Sequence, residues 1–158
     1  MALKKPAARN IATNKRARFD YEIIESVEAG LSLMGSEVKS LRAGKANIAD
    51  SYAHVRDGEA WLVGAYIAPY SFSRGGGHDP ERTRKLLLHR GEIDRLAGKL
   101  AEMGLTLIPM RLYFDRGKAK VELGLAKGKR TYDKRRSIRE REEKRDMERA
   151  VRHVRRSR

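Results

Sequence analysis

The chain has 158 residues, 36 Lys plus Arg against 21 Asp plus Glu, a net charge of +15 and no cysteine. That length suits one domain with one sizeable core, and the missing cysteines exclude a disulfide scaffold, thiolate-bound zinc, an iron–sulfur cluster and a Cys nucleophile. The longest apolar run, Ala60 to Ala68, is broken by Gly64 and falls far short of the roughly 20 residues that span a bilayer.

Residues 1–18 form a basic N-terminal arm with six bases and no acid; it lacks the apolar stretch of a secretory signal. The body, 19–126, carries 15 bases and 15 acids and is neutral. Phe19, Tyr21 and Ile23 alternate with polar neighbours and predict a strand, and Glu28-Ala29-Gly30 predicts a turn before Leu31 and Leu33 alternate again. Ser36 is the expected N-cap of a short helix, with Glu37 in its first turn and Gly44 as its stop. Ser51–Arg56 and Glu59–Ile67 read as strands joined at Asp57-Gly58, a two-residue hairpin signal, with Trp61, Val63, Ala65 and Ile67 on one face.

Residues 69–84, with Pro69, Gly75-Gly76-Gly77 and Pro80, read as a mobile loop. Leu86-Leu87-Leu88 follows as a brief apolar run, in which Leu87 on its own merits belongs to the core. Ile93, Leu96, Ala97 and Leu100 recur at helical spacing up to Gly104. Ile108 to Phe114 and Ala119 to Leu125 alternate around Asp115-Arg116-Gly117, a second hairpin. About six antiparallel strands with two or three short helices predict a mainly β fold, an OB-like closed barrel before a sandwich with helices, because closure removes sheet edges.

Residues 127–158 form a basic tail with 15 bases and 6 acids. Met147, Ala150, Val151 and Val154 make one thin helical stripe, and Glu140–Lys144 and Glu148–Arg152 are spaced to support a helix. One stripe cannot offset the ordering entropy, so the tail is expected to be disordered when free and helical when bound.

Two basic ends on a neutral body point to a polyanion, and a nucleic acid is favoured over an anionic membrane or a merely solubilising tail. Signals of catalysis are poor. His54, His78, His89 and His153 have no metal-ligand spacing, Gly44-Lys45-Ala46 is not a phosphate-binding P-loop, and no nucleophile–base pair stands out. Lys15 and Arg16 before the first strand, Lys39 and Arg42 on the short helix, and Arg84 and Lys85 after the glycine loop are candidate phosphate holders by charge. No motif of duplex-DNA readout appears, so shape recognition of folded RNA fits better. The rival reading is a ribosomal protein with a tail that binds rRNA.

Asn14-Lys15-Arg16-Ala17-Arg18, Glu28-Ala29-Gly30-Leu31, Gly35-Ser36-Glu37-Val38-Lys39-Ser40-Leu41-Arg42-Ala43-Gly44, Asp50-Ser51-Tyr52, Thr83-Arg84-Lys85-Leu86-Leu87-Leu88, Ala126-Lys127-Gly128-Lys129 and Asp133-Lys134-Arg135 stand in order over residues 12–145. Together they resemble the SsrA-binding protein family, also called small protein B. The resemblance implies a bacterial cytoplasmic RNA-binding protein of trans-translation, not an enzyme, without cofactor or metal, and monomeric. An OB-like barrel would bind the tRNA-like domain of transfer-messenger RNA. Further partners would be the 30S subunit with its 16S rRNA, and elongation factor Tu during delivery. The family's RNA-contact positions fall on Glu28, Leu87 and Lys120. Its decoding-centre positions fall on Tyr132, Asp133, Lys134 and Arg135, with Tyr132 standing where several members have His. The tail beyond Glu143 matches the family less closely.

Overall fold

The computed structural model describes residues 9–70, 77–128 and 131–156. In chain order it contains β1 (Arg9–Thr13), α1 (Ala17–Asp20), β2 (Tyr21–Leu31), α2 (Gly35–Arg42), β3 (Ala46–Asn47), β4 (Tyr52–Arg56), β5 (Glu59–Val63), β6 (Tyr66–Ile67), β7 (Arg84–Leu87), α3 (Arg90–Met103), β8 (Thr106–Asp115), β9 (Lys118–Gly128) and α4 (Thr131–Arg156). The two expected hairpins form for the expected reason. Asp57 and Gly58 have φ of 53° and 73°, and Arg116 and Gly117 have 52° and 78°. Positive φ at both central residues gives the turn the twist of its strands.

All pairings are antiparallel, and they run β8-β4-β5-β7-β2-β9. β9 then pairs with β8 along the whole length of that strand, so six strands make a closed ring. β8 shares its other edge between β4, at Leu107, and β1, over Arg111 to Phe114. Inside the ring lie Ala29, Leu62, Leu86, Leu107, Leu112, Val121 and Leu123, all at 1% exposure or less, with Leu41 of α2 and Leu96 of α3 packed into the same cluster. Each such leucine contributes about 1.5–3 kcal/mol by burial.

Four local expectations change. Glu28-Ala29-Gly30 is not a turn but the middle of β2, which runs on to Leu31. Gly30 is needed for closeness, since a Cβ there would lie 3.1 Å from the Leu87 Cβ on β7. Phe19 and Asp20 belong to α1, where the Arg16 carbonyl accepts from both N–H groups at 3.1 and 2.9 Å. Trp61 and Val63 do not share a face with Ala65 and Ile67. Gly64, at φ 79°, breaks the alternation, so Ala60 and Leu62 point inward before it and Ala65 and Ile67 after it. Finally, Met34 and not Ser36 caps α2: the Met34 N–H donates to Glu37 at 2.8 Å, while the Ser36 hydroxyl meets His78 Nδ1 at 2.9 Å.

α3 ends at Gly104 in the left-handed conformation, as its spacing predicts. Within the glycine loop, residues 71–76 lie outside the described residues. α4 is one helix of 26 residues, with Met147, Val151 and Val154 exposed and an Arg136–Glu140 ion pair at 3.1 Å. It meets the body at α1, where the Arg141 guanidinium sits 5.6 Å from the centre of the Phe19 ring.

Candidate nucleic-acid interface

Strand register assembles a site on the outer face of β7, β2, β9 and β8. Gly30 pairs with Leu87 on one side and with Lys120 on the other, and Lys120 pairs with Tyr113. Side chains in such a row share one face of the sheet, and Glu28, two residues before Gly30, shares it too. A groove of about 1070 Å³ takes in Glu28, Gly30, Leu87 and Lys120 of this row and reaches the start of α3 at Arg90 and Ile93. Glu28, Leu87 and Lys120 all line it, together with Lys85, Lys118 and Phe114.

Leu87 is 53% exposed, against 1% for Leu86. The core expectation for Leu87 is therefore corrected: β7 alternates, Leu86 takes the inward position, and its neighbour faces solvent. Lys120 Nζ stands 3.9 Å from Glu28 Oε1. Glu28 lies opposite Glu122 in the β2–β9 register, an unfavourable pairing of like charges. Each carboxylate has its own donor. The Tyr113 hydroxyl donates to Glu28, and Arg111 Nε donates to Glu122 at 2.9 Å. The Arg111 guanidinium also lies 4.2 Å from the centre of the Tyr113 ring, in cation–π geometry. Burial, and then the hydrogen bond and charge of Glu28, push the Tyr113 phenol far above its ordinary range, so it stays a donor.

Of the candidates chosen by charge, Lys85 is exposed, lines the groove and pairs with Glu59 at 3.0 Å. Arg84 is a correction. It is fully buried, because it occupies the inward phase of β7. Its guanidinium donates to Glu37, to the Ala65 carbonyl at 2.7 Å and to the Pro80 carbonyl at 3.1 Å, leaving no surface for a ligand. Arg82 adds a second bond to Glu37 at 2.5 Å. Burial alone would raise the Glu37 carboxyl, but bonds from Arg82, the Met34 N–H and Arg84 outweigh it and hold it below its ordinary value.

Lys39 and Arg42 are exposed on α2 and do not line the groove; Lys39 Nζ lies 5.3 Å from the centre of the Tyr70 ring. Lys15 and Arg16 are exposed just before α1. Tyr132, Asp133, Lys134 and Arg135 fall in the first turns of α4. Lys120 lies far from the tail: Gly128 is eight positions further along β9, about 26 Å along the strand. The structure thus gathers Glu28, Lys85, Leu87 and Lys120, and leaves the other surface candidates elsewhere. Tyr113 was missed. The signal was present, because a two-residue turn at Arg116-Gly117 places Tyr113 opposite Lys120.

Among the described residues no group of three or more His, Cys, Asp or Glu is placed to hold a metal ion. His78 is buried and bonded to Ser36 and to the Ile67 carbonyl. Among the described residues no helix is long and apolar enough to cross a membrane.

A family model described as SmpB protein matches residues 11–153. The chain belongs to the SmpB family. An SsrA-binding protein of Syntrophobacter fumaroxidans is 57% identical over 141 residues, 89% of this chain and 88% of its own. One from Nostoc sp. strain PCC 7120 is 51% identical over 154 residues, 97% of this chain and 99% of its own. A solved structure from work described as "tmRNA-SmpB: a journey to the center of the bacterial ribosome" superposes with a TM-score of 0.64 at 53% identity, over 80% of this chain and 93% of that one. In this SmpB chain the Gly35–Gly44 block builds α2 and its stop, and Arg84 to Leu87 build β7. The two blocks meet at the buried Glu37–Arg84 pair.

Proposed function

We propose that this SmpB chain binds the tRNA-like domain of transfer-messenger RNA in the groove across β7, β2 and β9, and delivers it to stalled ribosomes for trans-translation. The observation that carries this reading is that Glu28, Leu87 and Lys120, far apart in sequence, line one groove. Each supplies a different contact. Lys120, with Lys85, offers ammonium donors to phosphates. Leu87 offers an apolar surface to an unstacked base or a ribose. Glu28 accepts from base or ribose donors. The six-stranded ring is the OB-like barrel of the family, and its task is binding rather than turnover.

The remaining parts divide the labour. The arm over 1–18, with Lys15 and Arg16, and the exposed Lys39 and Arg42 add phosphate contacts to the barrel over 19–126. The tail over 127–158 serves the 30S subunit. There α4 enters an mRNA channel empty of message, Tyr132 stacks on a base, and Lys134 and Arg135 meet 16S rRNA phosphates beside Asp133. Elongation factor Tu accompanies a single copy of the protein during delivery, all in the cytoplasm. The concentration of the whole charge excess in the two ends supports this division.

A gel-shift titration with the tRNA-like fragment at physiological salt tests the groove. Glu28→Ala and Lys120→Ala should each weaken binding about tenfold or more, about 1.4 kcal/mol, with melting temperatures near wild type, since both are surface-facing polar residues. Binding as tight as wild type by both variants would move the RNA elsewhere.

A further inference from the structure

Glu28 is an unusual group to meet RNA, because a free carboxylate repels phosphates and swings through many rotamers. Its setting removes both problems. Tyr113 stands across β9 from it, 3% exposed, and its hydroxyl donates to Glu28 Oε2. The ring is held from one side by the Arg111 guanidinium at 4.2 Å, and Arg111 is itself fixed by Glu122 at 2.9 Å. Lys120 sits near the other oxygen, Oε1, at 3.9 Å. One oxygen of Glu28 is thus tied to a rigid strand and the other leans toward a cation, yet the side chain remains half exposed. Its remaining lone pairs accept only from N–H or O–H groups.

We propose that Tyr113 is a positioning residue for RNA recognition: its buried hydroxyl orients the Glu28 carboxylate toward ribose hydroxyls or base N–H groups in the groove. This rests on the reading of the groove as the RNA site. Tyr113 does not touch the RNA; burial of its ring rules out stacking. It acts by removing the rotamer freedom that Glu28 would otherwise lose on binding. The arrangement also gives the groove a chemical preference, since an oriented carboxylate beside lysines discriminates donor-bearing bases and riboses from bare phosphate.

The test uses the full chain and the tRNA-like RNA fragment, with wild type, Tyr113→Phe, Glu28→Ala and the double variant compared by gel shift. Phenylalanine keeps the ring and its packing, and the freed carboxylate is open to water, so Tyr113→Phe should melt close to wild type. Its affinity should fall about tenfold, the upper scale of the freedom one side chain loses when it is immobilised on binding. Glu28→Ala should weaken binding at least as much, and the double variant should be no weaker than Glu28→Ala alone. A second readout is independent of RNA. In carbon-13 spectra at neutral pH the Glu28 carboxyl resonance should move in Tyr113→Phe while that of Glu25 stays. Equal loss from Tyr113→Phe with and without Glu28, or an unmoved Glu28 resonance, overturns the positioning role. Wild-type affinity in Tyr113→Phe beside a weakened Glu28→Ala overturns that role alone, whereas wild-type affinity in Glu28→Ala overturns the groove reading as well.

Discussion

Leu86 and Leu87 are chemically identical neighbours on β7, and truncating each to alanine should give opposite phenotypes. Leu86 is 1% exposed inside the ring. Leu86→Ala removes a full core side chain and leaves a cavity, which costs about 2–5 kcal/mol. At about 2–4 °C of melting temperature per kcal/mol for a domain of this size, that is a large drop. Leu87 is 53% exposed, so only about half of the roughly 1.5–3 kcal/mol of a buried leucine is at stake in folding, near 1 kcal/mol. Alanine also keeps the Cβ that packs against Gly30. On the proposed reading RNA covers the other half of the Leu87 surface, so its loss should weaken RNA binding about fivefold to tenfold, about 1–1.4 kcal/mol. Thermal melts and gel shifts on both variants read the two quantities separately. A Leu87→Ala protein that melts as low as Leu86→Ala, or that binds RNA as tightly as wild type, would refute the assignment of Leu87 to the groove.

Other outcomes follow from the buried pair and the tail. Glu37→Gln should cost about 3–5 kcal/mol in chemical denaturation, because it strands the Arg84 guanidinium in the interior. The Glu37 carboxyl is held below its ordinary 4.5, so its contribution to stability is fully present above that pH and is lost as pH falls through the lower folded value. Wild type should therefore lose stability faster than Glu37→Gln on acidification below about pH 4.5, as melts across that range would show. Deleting 131–158 should leave binding to the tRNA-like fragment within about tenfold, 1.4 kcal/mol, yet abolish peptide tagging on stalled ribosomes in a reconstituted assay. In the same assay Tyr132→Phe should be mild and Tyr132→Ala severe, because stacking needs the ring, at about 1–3 kcal/mol.

Strands and their turns were legible in the sequence where the physics is local. Asp57-Gly58 and Arg116-Gly117 specify their hairpins through positive φ, and Gly104 stops α3 in the same way. Errors arose where a glycine had a non-local cause. Gly30 resembles a turn residue, but what requires it is Leu87 on another strand. Gly64 shifts the strand phase because it fits against the Asp50 carbonyl, 3.2 Å from where its Cβ would be. Three consecutive leucines hide the phase of β7, so neither the exposure of Leu87 nor the burial of Arg84 could be read without the sheet. Charge alone ranked Arg84 with Lys85, and the fold separates them by a single residue of alternation. The RNA positions came from the family resemblance. What the sequence held unread was the register that sets Tyr113 beside them.

The tail helix begins three residues after β9 ends and extends about 39 Å at 1.5 Å per residue. A surface at its far tip is thus joined to the groove through a junction of only two residues, 129–130. With RNA in the proposed groove, the tip would search a volume only tens of ångströms across. Its local concentration there is of the order of millimolar, whatever the bulk amount of protein. A weak, sequence-blind grip by the tip would then be sufficient, because one bound end supplies the encounter for the other. Lengthening the junction at 129–130 with flexible residues would dilute that encounter without altering either surface.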